Sequence, residues 1–171
     1  MNNNKTDINN YVEIANDKLV LESLSEDKLS DLKSLHLCLF PVKYSDWYYR
    51  NLLSKPEWTV LVYKREELVG SISYLIEDQK DNLTKQCYIR LLGCLEKYRR
   101  LGIASMLIDN LVKILEKQKN IPKLYLMVQS NNEIAMKFYK KNKFQVVKFL
   151  ENYYDESVDP RHAYHIERRI E

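Results

Sequence analysis

The sequence predicts an α/β fold in which helices flank a mixed central sheet. The first observation is a change of apolar spacing near residue 100, where the strand-like run CYIRLLGCL gives way to a segment after Leu101 that keeps one helical face apolar. The second observation is that a new strand, KLYLMVQS, follows this helix. A strand that returns to its sheet through a helix makes a crossover, and hairpins elsewhere add antiparallel pairs, so the sheet is expected to be mixed.

The N-terminal half supplies the first strand and two helices. DKLVLESLS is predicted to be an edge strand, and between Ser25 and Pro41 the leucines recur at helical spacing. Ser45 is predicted to cap a second, short helix. Residues 58–77 form two β-rich runs around a polar turn, which indicates a hairpin.

The C-terminal third contains a further helix and two strands. Asn131 or Asn132 is predicted to cap the helix NEIAMKFYKKN, and FQVVKFL and AYHIERRI are predicted to be the last two strands. The complete predicted order is therefore β-α-α-β-β-β-α-β-α-β-β.

Composition limits the class of protein. The chain has 171 residues, of which 45% are hydrophobic, and a formal net charge of +3. We expect one domain over residues 11–171, preceded by an Asn-rich lead-in over residues 1–10 that is expected to be disordered. The mild basicity suits a small polyanionic ligand better than an extended nucleic-acid track, so no direct nucleic-acid partner is expected.

The cysteine and histidine patterns indicate neither disulfides nor a metal centre. The three cysteines are an odd number without C-x-x-C spacing, which favours reduced thiols. His162 and His165 form a lone H-x-x-H pair without a third ligand, so no metal is expected. No apolar run approaches the roughly 20 residues of a membrane span, and the start lacks a signal peptide, so a cytoplasmic location without a membrane partner is expected, with the nucleus as the alternative.

Two of the chain's three glycines frame its clearest motif. Gly93 and Gly102 lie at the end of one predicted strand and at the start of the longest predicted helix, with Arg99 and Arg100 just before Gly102. The free N–H groups of a helix's first turn bind anions, and Gly102 and Ala104 let the backbone come close to a ligand. This segment is therefore predicted to bind a pyrophosphate, and a solvated charged turn is the alternative.

The segment RRLGIA, between a strand and a helix, resembles the cofactor motif R/Q-x-x-G-x-G/A of the GCN5-related N-acetyltransferase (GNAT) superfamily. Four blocks between about Leu19 and Tyr154 resemble, more narrowly, the San-like catalytic subunits of NatE-type protein N-alpha-acetyltransferases. These blocks are FPVKYSDWYY, YIRLLGCLEKYRRLGIA, LYLMVQSNNEIAMKFYKKNKF and NYY. The resemblance implies the GNAT acyl-CoA N-acyltransferase fold and acetyl transfer from acetyl-CoA, as co-substrate, to the N-terminal α-amine of proteins that start with Met.

The resemblance also implies which residues form the site. It implies a cofactor cradle from Leu92 to Ser105, a second cofactor contact from Asn132 to Lys141, and a peptide pocket. The implied cofactor residues are Leu92, Gly93, Cys94, Leu95, Arg99, Arg100, Leu101, Gly102, Ile103, Ala104, Ser105, Asn132, Tyr139 and Lys141. The implied peptide residues are Phe40, Pro41, Val42, Tyr44, Tyr153 and Tyr154. Packing of these aromatic side chains on one another is the alternative interpretation.

The implied catalytic residues contain one departure from the family pattern. In the resemblance, a strand Tyr and a strand His take a proton from the attacking amine through water; Tyr88 matches the Tyr, but Met127 stands at the His position. A thioether accepts no proton at neutral pH, and loss of a positioned base costs roughly 10²–10⁴ in rate. We hypothesise that Tyr88, or a water that it holds, suffices for α-amines. Tyr139 matches the family's general acid, with a core position as the alternative.

Two further positions depart from the family. Arg90 replaces an apolar residue and alternates with Tyr88, so it is predicted to face the same cleft and to favour an acidic side chain early in the substrate, with solvent exposure as the alternative. Lys143 replaces a Gly after the last helix, and Asn142 is predicted to take the left-handed conformation instead.

By resemblance, the associates are a ribosome-associated auxiliary subunit and a NatA-type catalytic subunit.

Two rival functions stay open at this point. One is acetylation of a lysine or a small amine, and the other is an adaptor that binds acetyl-CoA with little activity, for which Met127 is the support.

Overall fold

A computed structural model of the chain describes residues 11–14, 17–79, 83–118 and 120–170. The strands are β1 (Tyr11–Ile14), β2 (Asp17–Ser23), β3 (Thr59–Lys64), β4 (Glu67–Asp78), β5 (Lys85–Cys94), β6 (Lys123–Gln129), β7 (Gln145–Leu150) and β8 (Ala163–Arg169). The helices are α1 (Leu29–Leu39), α2 (Asp46–Leu53), α3 (Ile103–Glu116) and α4 (Glu133–Lys141). No helix in the described ranges is long and apolar enough to cross a membrane.

The sheet is mixed, as the sequence predicts. Its strand order is β1-β2-β3-β4-β5-β6-β8-β7, with β5 parallel to β6 through the α3 crossover and antiparallel pairs at β1–β2, β2–β3, β3–β4, β6–β8 and β7–β8. The predicted element order is confirmed from β2 onward. The prediction that DKLVLESLS is an edge strand is wrong, because β1 pairs with it, for example at Val12 and Leu19. β1 is only four residues long, too short for a period-2 pattern to be recognised.

The chain divides into two compact units, which share strands β4 and β5 and helix α3. The first unit comprises residues up to Ser73 together with Leu91–Leu107, and the second comprises Tyr74–Arg90 together with the chain from Ile108 onward. The core of the first unit is formed by buried side chains of α1, α2, β3, β4 and the connection after β2, namely Leu24, Leu32, Leu35, Tyr49, Leu52, Leu61, Tyr63 and Leu68.

The second unit has its own buried residues, on α3 and on one face of β6 and β8. Along β6, Leu124, Leu126 and Val128 are buried while the residues between them are half-buried, which is the alternation of a strand with two unlike faces. The predicted lead-in over residues 1–10 lies outside the described residues.

Side-chain caps set the starts of two helices. Ser45 Oγ accepts a hydrogen bond of 3.3 Å from the Tyr48 amide at the start of α2, as predicted. Of the two asparagines offered for α4, Asn132 is the cap, because its Oδ1 accepts a hydrogen bond of 3.0 Å from the Ala135 amide. Each cap satisfies one backbone donor that has no partner within the helix.

The prediction that Asn142 takes the left-handed conformation is wrong. Lys143 has φ of 66°, whereas Asn142 has φ of −89°. Asn142 is held at the helix end because its side-chain amide donates to Phe138 O at 2.9 Å. The Phe144 amide then donates to Tyr139 O at 3.0 Å, which closes the helix around a left-handed residue at position 143.

This helix end gives a stability prediction. Lys143→Gly is expected to raise the free energy of unfolding by about 1 kcal/mol, because glycine adopts a positive φ without the strain of a Cβ. Lys140→Gly, inside α4, is the matched control and is expected to lower it by about 1 kcal/mol. Urea denaturation of both variants checks this, and equal destabilisation by the two substitutions would contradict it.

Candidate active site

The connection from β5 to α3 lies in the first unit. After Cys94 the chain makes a 3-10 turn over Glu96–Tyr98, and the Leu95 amide anchors the loop by donating to Val69 O at 2.8 Å. Arg100 and Gly102 both have a positive φ, of 67° and 89°. The backbone thus turns sharply just before the helix begins.

The first turn of α3 has backbone donors that lack a partner within the helix. The Met106 amide makes the helix's first bond, to Gly102 O at 2.9 Å, so the amides of Ile103, Ala104 and Ser105 precede any intrahelical acceptor. Among the described residues, no atom lies within 4 Å of a Cβ added to Gly102, so the space beside Gly102 is open. Such donors at the positive end of a 14-residue helix are an arrangement that favours anions.

The charges around this helix start are divided between two roles. Arg99, Arg100 and Leu101 are exposed beside the turn, where the two guanidinium groups attract anions. Lys97 makes an ion pair with Glu67, with Nζ 2.7 Å from Oε1. The arginines, rather than Lys97, therefore supply the unneutralised positive charge of this loop.

The end of β5 has a packing role that the motif alone does not reveal. A Cβ on Gly93 would lie 2.8 Å from Leu39 Cδ1, so glycine is required here by contact with α1. Leu92 and Leu95 on either side are half-buried. Cys94 is buried, and burial raises the pKa of its thiol, which keeps it protonated at neutral pH. A protonated thiol is a poor nucleophile, so a covalent acyl-enzyme on Cys94 is disfavoured relative to direct transfer of an acyl group between substrates.

The predicted peptide loop is built around a buried histidine. His36 of α1 is 1% exposed, and the rings of Phe40, Tyr44, Tyr48 and Tyr49 lie 5.7, 5.8, 6.5 and 5.8 Å from it. We call these five residues the His36 aromatic cluster. Burial lowers the pKa of His36 to about 4, so its ring is neutral at physiological pH.

Within this loop the predicted peptide residues divide into two groups. Phe40 and Tyr44 pack on each other at 6.2 Å and are half-buried, so mutual packing accounts for part of their surface. Pro41 and Val42 are exposed, Val42 by 51%. The cluster therefore holds a rigid base from which an apolar Pro-Val tip projects.

The second unit contains the predicted catalytic tyrosine. Tyr88 is half-buried on β5 and its ring stacks on Tyr125 of β6 at 5.1 Å. Burial, and then the neighbouring phenol of Tyr153 with which it shares a hydrogen bond, raise the pKa of Tyr88 to about 12. Tyr88 is therefore protonated at neutral pH and can orient a water but cannot itself take the proton.

The neighbours of Tyr88 match the predicted peptide pocket. Arg90 is close enough for its charge to act on the pKa of Tyr88, in keeping with the predicted shared face. Tyr153 is 44% exposed and contacts Tyr154 edge to face at 5.0 Å. Burial raises the pKa of Tyr154. These four side chains border one region of the second unit.

Strand β5 leaves β6 just after Tyr88. The parallel register consists of Cys87 with Leu124 and Tyr88 with Tyr125, although β6 continues to Gln129. Met127 lies in the stretch of β6 that pairs with β8 but no longer with β5, on the same face as Tyr125. The structure therefore places Met127 beside Tyr125 on the face that carries Tyr88.

Helix α4 carries the remaining predicted cofactor residues. Asn132 is the N-cap, Lys141 is exposed at the last turn, and Tyr139 is half-buried between the rings of Phe138 and Phe144, at 5.1 and 5.3 Å. Burial raises the pKa of Tyr139 well above its usual range. Among the described residues, nothing donates to or accepts from its hydroxyl, so a neutral phenol is available to protonate a leaving group.

Sequence reasoning assigned no functional role to four polar residues of the second unit. Tyr125 OH donates to Glu77 Oε1 at 2.5 Å, and His165 Nε2 lies 3.1 Å from Glu167 Oε1. The alternation of AYHIERR places His165 and Glu167 on one face of a strand, which is the signal that could have found this pair. Which strand that face adjoins depends on tertiary register.

Within the described residues, no group of three or more His, Cys, Asp or Glu could hold a metal ion.

Comparisons with known proteins agree with this architecture. The model of the Acetyltransferase (GNAT) family matches residues 24–144. N-alpha-acetyltransferase 50 of Danio rerio is 31% identical over 153 residues, covering 90% of this chain and 89% of that protein. The probable N-acetyltransferase san of Drosophila melanogaster is 33% identical over 150 residues, covering 88% of this chain and 80% of that protein.

A solved structure agrees as well. Arabidopsis thaliana Naa50 in complex with the bisubstrate analogue CoA-Ac-MVNAL has a TM-score of 0.78 and 36% identity, and the match covers 88% of this chain and 97% of that one.

The His36 aromatic cluster gives a pH prediction. The unfolded chain binds a proton at this histidine near pH 6.5 and the folded chain only near pH 4, so stability is lost as the pH falls through this window. Between pH 7.5 and pH 5 the loss from this group is expected to be about 2 kcal/mol. Urea denaturation at both pH values measures it. In His36→Gln this part of the pH dependence is expected to vanish, whereas it persists in the control His162→Gln; an unchanged dependence in His36→Gln would refute the assignment.

Proposed function

Because this chain belongs to the acetyltransferase (GNAT) family, we propose that it transfers the acetyl group of acetyl-CoA to the N-terminal α-amine of proteins, with those that start with Met as its substrates. One observation carries this proposal in the structure: the open first turn of α3, where amide donors follow the positive-φ backbone of Gly102 beside two exposed arginines. That arrangement suits the pyrophosphate of coenzyme A.

The reaction needs few protein groups. The amine nitrogen attacks the thioester carbonyl, a C–N bond forms, the C–S bond breaks, and the proton from nitrogen leaves through water. We assign the polarisation of the carbonyl to backbone amides near Leu91 or Leu92, and the orientation of the water to the neutral phenol of Tyr88. Tyr139, also a neutral phenol, is the donor for the departing thiolate.

The peptide is assigned to two sets of residues. In the first unit they are the exposed tip Pro41-Val42 with Phe40 and Tyr44 at its base, and in the second they are Tyr153 and Tyr154. Exposed apolar and aromatic side chains on polar loops are typical of peptide-binding surfaces. The bisubstrate analogue bound to the similar Arabidopsis protein carries a peptide that begins with Met, which supports the same starting residue here.

The setting of the enzyme is also part of the proposal. We propose that the enzyme acts in the cytoplasm, with the nucleus as an alternative site. We also propose that it associates with a ribosome-associated auxiliary subunit and a NatA-type catalytic subunit. The support is the resemblance of four sequence blocks to the NatE-type group together with the similarity to N-alpha-acetyltransferase 50.

The first test compares two kinds of amine. At pH 7 about a tenth of an α-amine is neutral, whereas well under a thousandth of a lysine side chain is, so Met-start peptides are expected to be acetylated at least 100-fold faster than internal lysines. Single-turnover assays with acetyl-CoA and two peptides measure this, one with a free N-terminus and one N-terminally blocked with an internal lysine. Faster lysine acetylation would overturn the proposal, and coenzyme A binding without transfer to either peptide would favour the adaptor function that Met127 suggests.

The second test concerns Arg90. Its guanidinium lies near Tyr88, so a peptide with an acidic second residue is expected to be acetylated several-fold faster than the same peptide with a glutamine there, because opposite charges attract. Arg90→Met is expected to abolish this ratio, while Arg169→Gln, an exposed position on β8, leaves it unchanged. Preferences that stay the same in Arg90→Met would remove Arg90 from the specificity site.

A further inference from the structure

The second unit lacks a proton acceptor at the position where the family resemblance expects one. Met127 carries a thioether, and Tyr88 is a phenol that stays protonated at neutral pH. Loss of a positioned base costs roughly 10²–10⁴ in rate, so a working enzyme benefits from an acceptor elsewhere on the same face.

The register of β6 and β8 brings a histidine to that face. His165 is the direct partner of Met127 in the antiparallel ladder. Directly opposite residues project from the same face with Cβ atoms about 4.5–5.5 Å apart. The His165 ring lies 5.1 Å from Tyr125, and Tyr125 stacks at 5.1 Å on Tyr88, so two ring contacts connect the histidine to the predicted catalytic tyrosine.

A carboxylate orients this histidine. Nε2 of His165 is shielded from solvent and lies 3.1 Å from Glu167 Oε1, which also accepts a bond of 2.7 Å from Lys123 Nζ. The contact of His165 Nε2 with Glu167 is short but outside hydrogen-bond geometry. A carboxylate oxygen can only accept a hydrogen bond, so the tautomer with its proton on Nε2 fits Glu167, and the lone pair of Nδ1 is left as the acceptor.

We propose that His165, oriented by Glu167, accepts the amine proton in this chain in place of residue 127. The inference rests on the proposed function. As the C–N bond forms, the nitrogen loses its proton to a bridging water, and that water passes a proton to Nδ1 of His165, which becomes imidazolium. When the C–S bond breaks, the thiolate takes the proton of Tyr139, and the phenol is reprotonated from solvent while His165 releases its proton to solvent.

The charges that face His165 come from three strands. Glu167 lies on its own strand, Lys123 and Tyr125 lie on β6, and Lys148 is its register partner on β7. Burial is the main influence and lowers the pKa of His165, which the two lysines reinforce and Glu167 opposes. The ring is therefore neutral and able to accept a proton at physiological pH.

The decisive experiment compares kcat/KM of wild type and His165→Gln from pH 6 to pH 9 with a Met-start peptide. At pH 7 the variant is expected to be roughly 100-fold slower, the lower end of the range for a general base. The deficit is expected to shrink toward pH 9, where free amine and hydroxide replace the base. Arg169→Gln, which changes an exposed residue of β8, is the control and keeps the wild-type profile. A deficit in kcat/KM below twofold overturns the proposal. A deficit that stays constant across pH, which a packing defect would give, also overturns it.

Restoring a histidine at residue 127 provides the second measurement. Met127→His in the His165→Gln background is expected to recover at least tenfold of the lost rate, and the two substitutions are therefore non-additive. Absence of recovery in a double variant with a wild-type thermal unfolding profile contradicts the proposal. Should His165→Gln fold poorly, Glu167→Gln is the substitute: without the carboxylate His165 is oriented less well, so kcat/KM at pH 7 is expected to fall several-fold with a deficit that shrinks toward pH 9, and an unchanged profile counts against the proposal.

These measurements separate two kinds of failure. If wild type acetylates no N-terminal peptide, the proposed function fails, and with it the inference. If wild type acetylates the peptide and His165→Gln is equally active, only the role of His165 fails.

Discussion

The ladder between β6 and β8 is the constraint on which the face of the second unit that carries Tyr125, Met127 and His165 depends. Seven consecutive register pairs, from Lys123 with Arg169 to Gln129 with Ala163, hold the two strands together. A slip of one residue would move every side chain of β8 to the opposite face. It would bury His165 and Glu167 among the apolar residues around Ile166 and expose that core instead. The hydrophobic alternation that builds the core thus also fixes the position of the histidine.

In the first unit, two glycines of one sequence motif meet different physical demands. Gly93 lacks room for a side chain because Leu39 approaches its Cβ position. Gly102 has ample room but a φ of 89°, so it is required by backbone conformation. The first demand fixes how β5 packs on α1, and the second turns the chain so that the donors of α3 are open. Both demands must be met for the start of α3 to follow the end of a packed strand with its first-turn donors open.

Local chemistry explains which features the sequence predicts. Ser45 and Asn132 cap their helices because a cap needs only a short polar side chain and an amide three residues later, and both are visible in the sequence. The anion site before α3 is likewise a matter of adjacent residues. By contrast, His165 contacts Tyr125, 40 positions earlier in the chain, and only the strand order and register bring them together. The prediction for Asn142 was wrong because its side-chain amide bonds to Phe138 O one helical turn earlier and keeps a negative φ at position 142, a choice between local conformations that residue type alone does not decide.

The low pKa of His165 raises the question of how so weak a base could take a proton from an amine. An α-amine has a pKa of about 7.7–8.0, so removing the proton from a bound ammonium would be unfavourable for a histidine below 6.5. Attack on the thioester reverses the order of the two pKa values, because a nitrogen that has bonded to the acyl carbon is far more acidic than a free ammonium. The histidine is then needed after attack, and the amine must arrive already neutral. This timing selects for amines with a substantial neutral fraction, so the same weak base that completes the reaction of an N-terminus leaves a lysine side chain largely unreactive.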